Sequence, residues 1–82
     1  MAVLKGVFDG TVIPGCPILV NAGVNTFLAV TNNGPNPVIV KTALGTFPID
    51  RANTQAFFLP AGSNADINGP GSKAAWELAV PG

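Results

Sequence analysis

The groups in this chain that could do chemistry are four carboxylates, four cations and one thiol, and their spacing gathers none of them into a reactive set. The acids are Asp9, Asp50, Asp66 and Glu77; the cations are Lys5, Lys41, Arg51 and Lys73; the thiol is Cys16. Histidine and tyrosine are absent, which removes the commonest general base and the commonest transition-metal ligand. A glycosidase needs two carboxyl groups facing each other across a cleft, whereas Asp9 and Asp50 stand at turn positions, where Asp serves the local backbone. Cys16 lies between Gly15 and Pro17 with no imidazole to take its proton, and reads as a small buried apolar residue. Calcium would require several oxygen ligands close together; Asn32, Asn33 and Asn36 read instead as turn residues. No phosphate-cradling glycine motif is present. The sequence predicts no catalytic residue, no metal site, no cofactor and no enzyme.

The elements that would have to position a site are short strands. Residues 26–31 and 38–43 are rich in Val, Ile, Thr and Phe, which suit a pleated, half-buried surface. Asn32-Asn33-Gly34-Pro35-Asn36-Pro37 separates them, a run that no helix could cross. The simplest expectation is an antiparallel hairpin with a six-residue loop. Further strands are expected at 2–8, 11–13, 16–20, 46–49, 54–59, 64–68 and 74–80, with Gly, Pro, Asn or Asp at nearly every boundary. Pro48 favours an edge position. In the last strand Ala74, Trp76, Leu78 and Val80 share one face, and core burial is expected for Trp76. This pattern predicts an all-β chain, residues 1–82 forming a single small antiparallel β-sandwich of seven to nine short strands, immunoglobulin-like or jelly-roll.

Composition points outward from the fold. Of 82 residues, 48% are hydrophobic and only 10% charged, with zero formal net charge; soluble domains usually carry about 25% charged residues. Several strands are apolar on both faces. Phe57 and Phe58 must point to opposite sides, and Ile18-Leu19-Val20 and Val38-Ile39-Val40 repeat the pattern. Strands of this kind occur where something covers the outside. The expected interface residues are Phe57, Phe58, Ile39 and Leu19, with one of the two Phe rings in the core and the other at the contact. Both chain ends are expected to be held by neighbours, because free termini of small monomers fray. Dispersed cations argue against nucleic acid, and no apolar run is long enough to span a bilayer. Gly6 and Asp9 interrupt any signal-peptide core near the start, so synthesis and at least first folding in the cytosol are expected.

Two resemblances add to this. Val30-Thr31-Asn32-Asn33-Gly34-Pro35 resembles the strand-and-turn signature of immunoglobulin-like repeats in bacterial surface proteins, which implies the sandwich fold. In size, composition and strand pattern the whole chain resembles the small β-rich virion proteins of tailed phages, of the capsid decoration or cement type. That resemblance implies a homo-oligomer, a trimer favoured, seated on a larger shell or tail protein of the virion. The expected function is a non-enzymatic structural subunit stabilising a shell through apolar interfaces. The alternative is a carbohydrate- or receptor-binding module of a phage tail, fibre or surface protein, which would present exposed aromatic rings in a groove.

Overall fold

The computed structural model describes residues 2–13, 15–19 and 25–80. Eight strands build two four-stranded antiparallel sheets: β1 (Ala2–Asp9), β2 (Gly15–Leu19), β3 (Thr26–Asn32), β4 (Val38–Thr42), β5 (Gly45–Ile49), β6 (Thr54–Leu59), β7 (Asn64–Asn68) and β8 (Lys73–Val80). The first sheet has the order β1-β8-β3-β6, the second β2-β7-β4-β5. Among the described residues only β4 and β5 are consecutive strands that pair with each other; every other connection passes between the sheets. This is the jelly-roll form of the sandwich.

The expected hairpin between residues 26–31 and 38–43 is therefore corrected: β3 pairs with β6 and β8, and β4 with β5 and β7. Pro35 and Pro37 have no N–H to continue a ladder, and Asn32 draws the loop across the end of the sandwich. The Asn32 side chain is fully buried. Its Nδ2 donates to the carbonyls of Asn36 (2.8 Å) and Ile49 (2.9 Å), and its Oδ1 accepts from the Gly34 N–H (2.9 Å) and the Ser72 hydroxyl (3.1 Å). Its backbone N–H donates to Asn53 O, and its carbonyl accepts from Ala52 N–H. A residue read as turn punctuation is the tie between three loops, with every donor and acceptor used. Gly34 is required beside it, because a Cβ there would lie 2.1 Å from Ser72 Oγ and 2.3 Å from the Lys73 backbone nitrogen.

The expected strand at 11–13 is also corrected. Residues 10–12 form a turn in which Asp9 accepts from Thr11, and its carbonyl accepts from the N–H groups of Val12 and Ile13. The remaining expected strands fall close to their predicted bounds, and Pro48 sits on β5, an edge strand. Residues 20–24, including the expected strand end at Val20 and the Asn21-Ala22-Gly23 stop, lie outside the described residues, as do Met1 and residues 81–82, on which the expectation about held ends rests.

Alternation does the rest. Strand β3 reads buried at Thr26, Leu28, Val30 and Asn32, with the residues between them facing out. The core joins Phe8, Leu28, Val30, Leu59 and Leu78 of the first sheet to Val38, Val40, Ile49 and Ile67 of the second, and Phe57 packs against Phe47 across it, ring centroids 5.3 Å apart and planes tilted by 43°. Trp76 is half-buried and packs against this cluster. Its indole lies over Gly6, its cross-strand partner; a Cβ at Gly6 would sit 2.3 Å from the ring.

Candidate interface

The strand registers place the outward residues of the first sheet in three rows. Val3, Ala79, Phe27 and Phe58 form one; Lys5, Glu77, Ala29 and Ala56 the next; Val7, Ala75, Thr31 and Thr54 the third. Val7 is 82% exposed, Phe27 58%, Val3 49% and Phe58 38%. The Phe27 and Phe58 rings meet edge to face, centroids 5.4 Å apart, a favoured aromatic geometry. Thr31 and Thr54 share a hydroxyl hydrogen bond of 2.8 Å. Lys5 and Glu77 form an ion pair at 3.8 Å with both side chains largely in solvent, a contact worth at most about 1 kcal/mol. At the loop end of this face Asp9 lies opposite Lys73. The Thr11 hydroxyl, then the Thr11 N–H, hold the Asp9 carboxyl below the usual carboxylate range, with Lys73 a smaller contributor against a small opposing burial effect.

On the outer face of the second sheet, Lys41 and Asp66 stand opposite each other on β4 and β7, and with Thr46 and Asn68 they ring a shallow open cleft whose apolar wall is Ile39 and Pro17. Asn64 and Asn68 are exposed beside them. Both faces mix polar and apolar side chains, but the large exposed apolar ones, Phe27, Phe58, Val3 and Val7, stand on the first.

The four residues predicted for an interface are not brought together. Phe57 is a core residue, 5% exposed, and takes no part in the outer face. Phe58 is its outward neighbour on the apolar face. Ile39 is half-buried on the opposite sheet. Leu19 closes β2 opposite Asn64, and its side chain lies outside the described residues. Sequence reasoning missed Phe27, Val3 and Val7. Phe27 carried the same signal as Phe58, a large apolar residue next to another, Leu28, in one strand. Val3 and Val7 were legible only as the outward half of a weakly alternating strand.

Among the described residues, no group of three or more His, Cys, Asp or Glu could hold a metal ion. Between the sheets the described residues form the apolar cluster around Leu28, Val40 and Ile67. No helix of the described residues is long and apolar enough to cross a membrane.

The architecture defines the chain as a jelly roll, the double-stranded β-helix fold. No family model and no curated protein matches it. Among solved structures it is similar to a de novo designed double-stranded β-helix, at 11% identity and a TM-score of 0.62, covering 95% of this chain and 96% of that one. It is also similar to a cupin protein from Bacteroides fragilis, at 8% identity and a TM-score of 0.58, covering 98% of this chain and 69% of that one. These likenesses are of fold alone.

Proposed function

We propose that this chain is a non-enzymatic assembly subunit that docks on its partners through the outer face of the β1-β8-β3-β6 sheet. The observation that carries the reading is the set of large apolar side chains left exposed on this face, Phe27, Phe58, Val3 and Val7, around the Lys5–Glu77 pair. Exposed apolar patches of several hundred Å² mark sites of association, and covering them yields about 25 cal/mol per Å². Decoration of a tailed-phage shell, as a homo-oligomer on a larger shell or tail protein, is the form it takes on the resemblance of size, composition and strand pattern. Virion location belongs to the same proposal. A glycan- or receptor-binding module would present its rings in a groove; here Trp76 is turned inward and the Phe27–Phe58 pair lies on a sheet face, which favours assembly.

The test is the native mass of the tagged chain in gently lysed source material, for wild type and for Phe58→Ser, with the fold of both checked by circular dichroism. The wild type should run in an assembly well above 8.3 kDa and the folded variant should be released from it. A wild type at monomer mass, or a variant retained like wild type, overturns the proposal.

A further inference from the structure

We infer that the apolar face is built to stack on a second copy of itself about a two-fold axis parallel to the strands and lying between β8 and β3. This rests on the assembly reading above and names its partner. Such an axis lays β1 over β6 of the second copy, and β8 over β3. The rows then fit by size. Val3 and Ala79, the small half of the first row, meet Phe58 and Phe27 of the second copy. In the middle row the order reverses: the long Lys5 and Glu77 meet Ala56 and Ala29, the smallest pair on the face. In the third row Val7 and Ala75 meet Thr54 and Thr31, which are of similar volume. This alternation of large over small follows from the strand registers alone, and interdigitation of this kind fills the space between stacked sheets.

Charge selects the same arrangement. A two-fold axis along the middle row would set Lys5 over Lys5 and Glu77 over Glu77, whereas the axis between β8 and β3 keeps each ion pair over alanines. The area sets the strength. Four strands at about 4.8 Å spacing and seven residues of rise make a face of roughly 19 by 23 Å, on the order of 440 Å² per copy. The total sits just below the ~1,000 Å² expected of a stable specific interface. The pairing is accordingly reversible, with dissociation in the micromolar range or weaker.

The experiment is sedimentation equilibrium of the purified full chain up to about 1 mM, with two charge-exchanged variants. Ala29→Lys/Ala56→Glu places unlike charges over Lys5 and Glu77 of the second copy; Ala29→Glu/Ala56→Lys places like over like. Both variants carry the same ion pair within their own chain, on the outward face and away from the core. Residue 29 is also the cross-strand partner of Glu77 within its own chain, so Ala29→Glu adds a like-charge contact inside the monomer that Ala29→Lys does not. Urea unfolding of both variants is therefore measured first, and dissociation is compared only where both chains are fully folded. The expected result is a wild-type dimer and a dissociation constant at least tenfold higher for the like-over-like variant, the difference shrinking as salt is added. Equal dissociation constants for the two variants, or the reverse order, overturn the two-fold arrangement. A wild-type monomer at 1 mM, with Phe58→Ser still releasing the chain from its native assembly, overturns the self-pairing and leaves the assembly reading standing. A dimer indifferent to Phe58→Ser and to both double variants overturns both.

Discussion

Replacing Asn32 by aspartate keeps the shape of the side chain and exchanges its two N–H donors for an oxygen. In the native protein those donors serve the half-buried carbonyl of Asn36 and the buried carbonyl of Ile49, while Oδ1 accepts from Gly34 N–H and Ser72 Oγ. Ionised, the introduced carboxylate keeps the two bonds it accepts but turns its second oxygen toward two carbonyl oxygens. The Asn36 carbonyl keeps the Ser72 hydroxyl at 2.8 Å, but the buried Ile49 carbonyl loses the amide donor; that costs about 1–3 kcal/mol, with the buried charge in addition. A loss of about 3–6 kcal/mol at pH 7 is expected, against the roughly 4–12 kcal/mol total stability of a domain of this length. At about 4–8 °C per kcal/mol, the melting temperature should fall by at least ~12 °C. Protonated, the same group can donate to one of the two carbonyls, and only about 1–2 kcal/mol should be lost. The folded pKa of the introduced carboxyl is thus raised above its unfolded value near 4. The stabilisation linked to its proton is fully present below that value and is lost as pH rises through the folded pKa. The assay is thermal or urea unfolding of wild type and variant at pH 3.5 and pH 7, read as the difference between the two proteins at each pH. A gap that widens toward neutrality supports the tie. A gap of equal size at both pH values, or one below about 1 kcal/mol at pH 7, would refute the reasoning.

Three further outcomes are expected. Phe57→Ala should cost about 3–5 kcal/mol in chemical unfolding, because the ring is in the core against Phe47, while Phe58→Ser should cost under about 1 kcal/mol and act on association instead; equal losses for the two would remove the distinction between the faces of β6. Ala52 has φ of 65°, a left-handed conformation that costs an L-residue roughly 1–2 kcal/mol, so Ala52→Gly should raise stability by about 0.5–1 kcal/mol after the added unfolded-state entropy; a lower melting temperature would count against it. Folding and association should be flat from about pH 5.5 to 8, since histidine is absent. Stability should decline only below about pH 4, as protonation removes the advantage of the lowered Asp9 carboxyl; a titration near neutrality in either measurement would contradict this.

What the sequence determined by itself was local. Gly, Pro, Asn and Asp dictate where a chain can turn, and β-branched runs dictate what lies between. The strands at 54–59 and 64–68, the edge position of Pro48 and the two-faced character of Phe57-Phe58 were therefore all legible. The alternation in 74–80 likewise gave the inward face of Trp76. Thr11, Val12 and Ile13 misled because β-branched residues suit a strand, yet Asp9 captures the backbone and hydroxyl of Thr11 in a turn. Only the tertiary structure decided pairing. Nothing local distinguishes a hairpin from a crossover at residues 33–37. The outcome depends on Asn32 finding Ile49 and Ser72, 17 and 40 residues away. The same holds for the apolar face. Phe27 and Phe58 are 31 positions apart, and only the β3–β6 register sets them side by side. Ile39, with an equally apolar sequence environment, was carried to the opposite sheet, because which strands become neighbours is fixed by contacts between segments far apart in the chain.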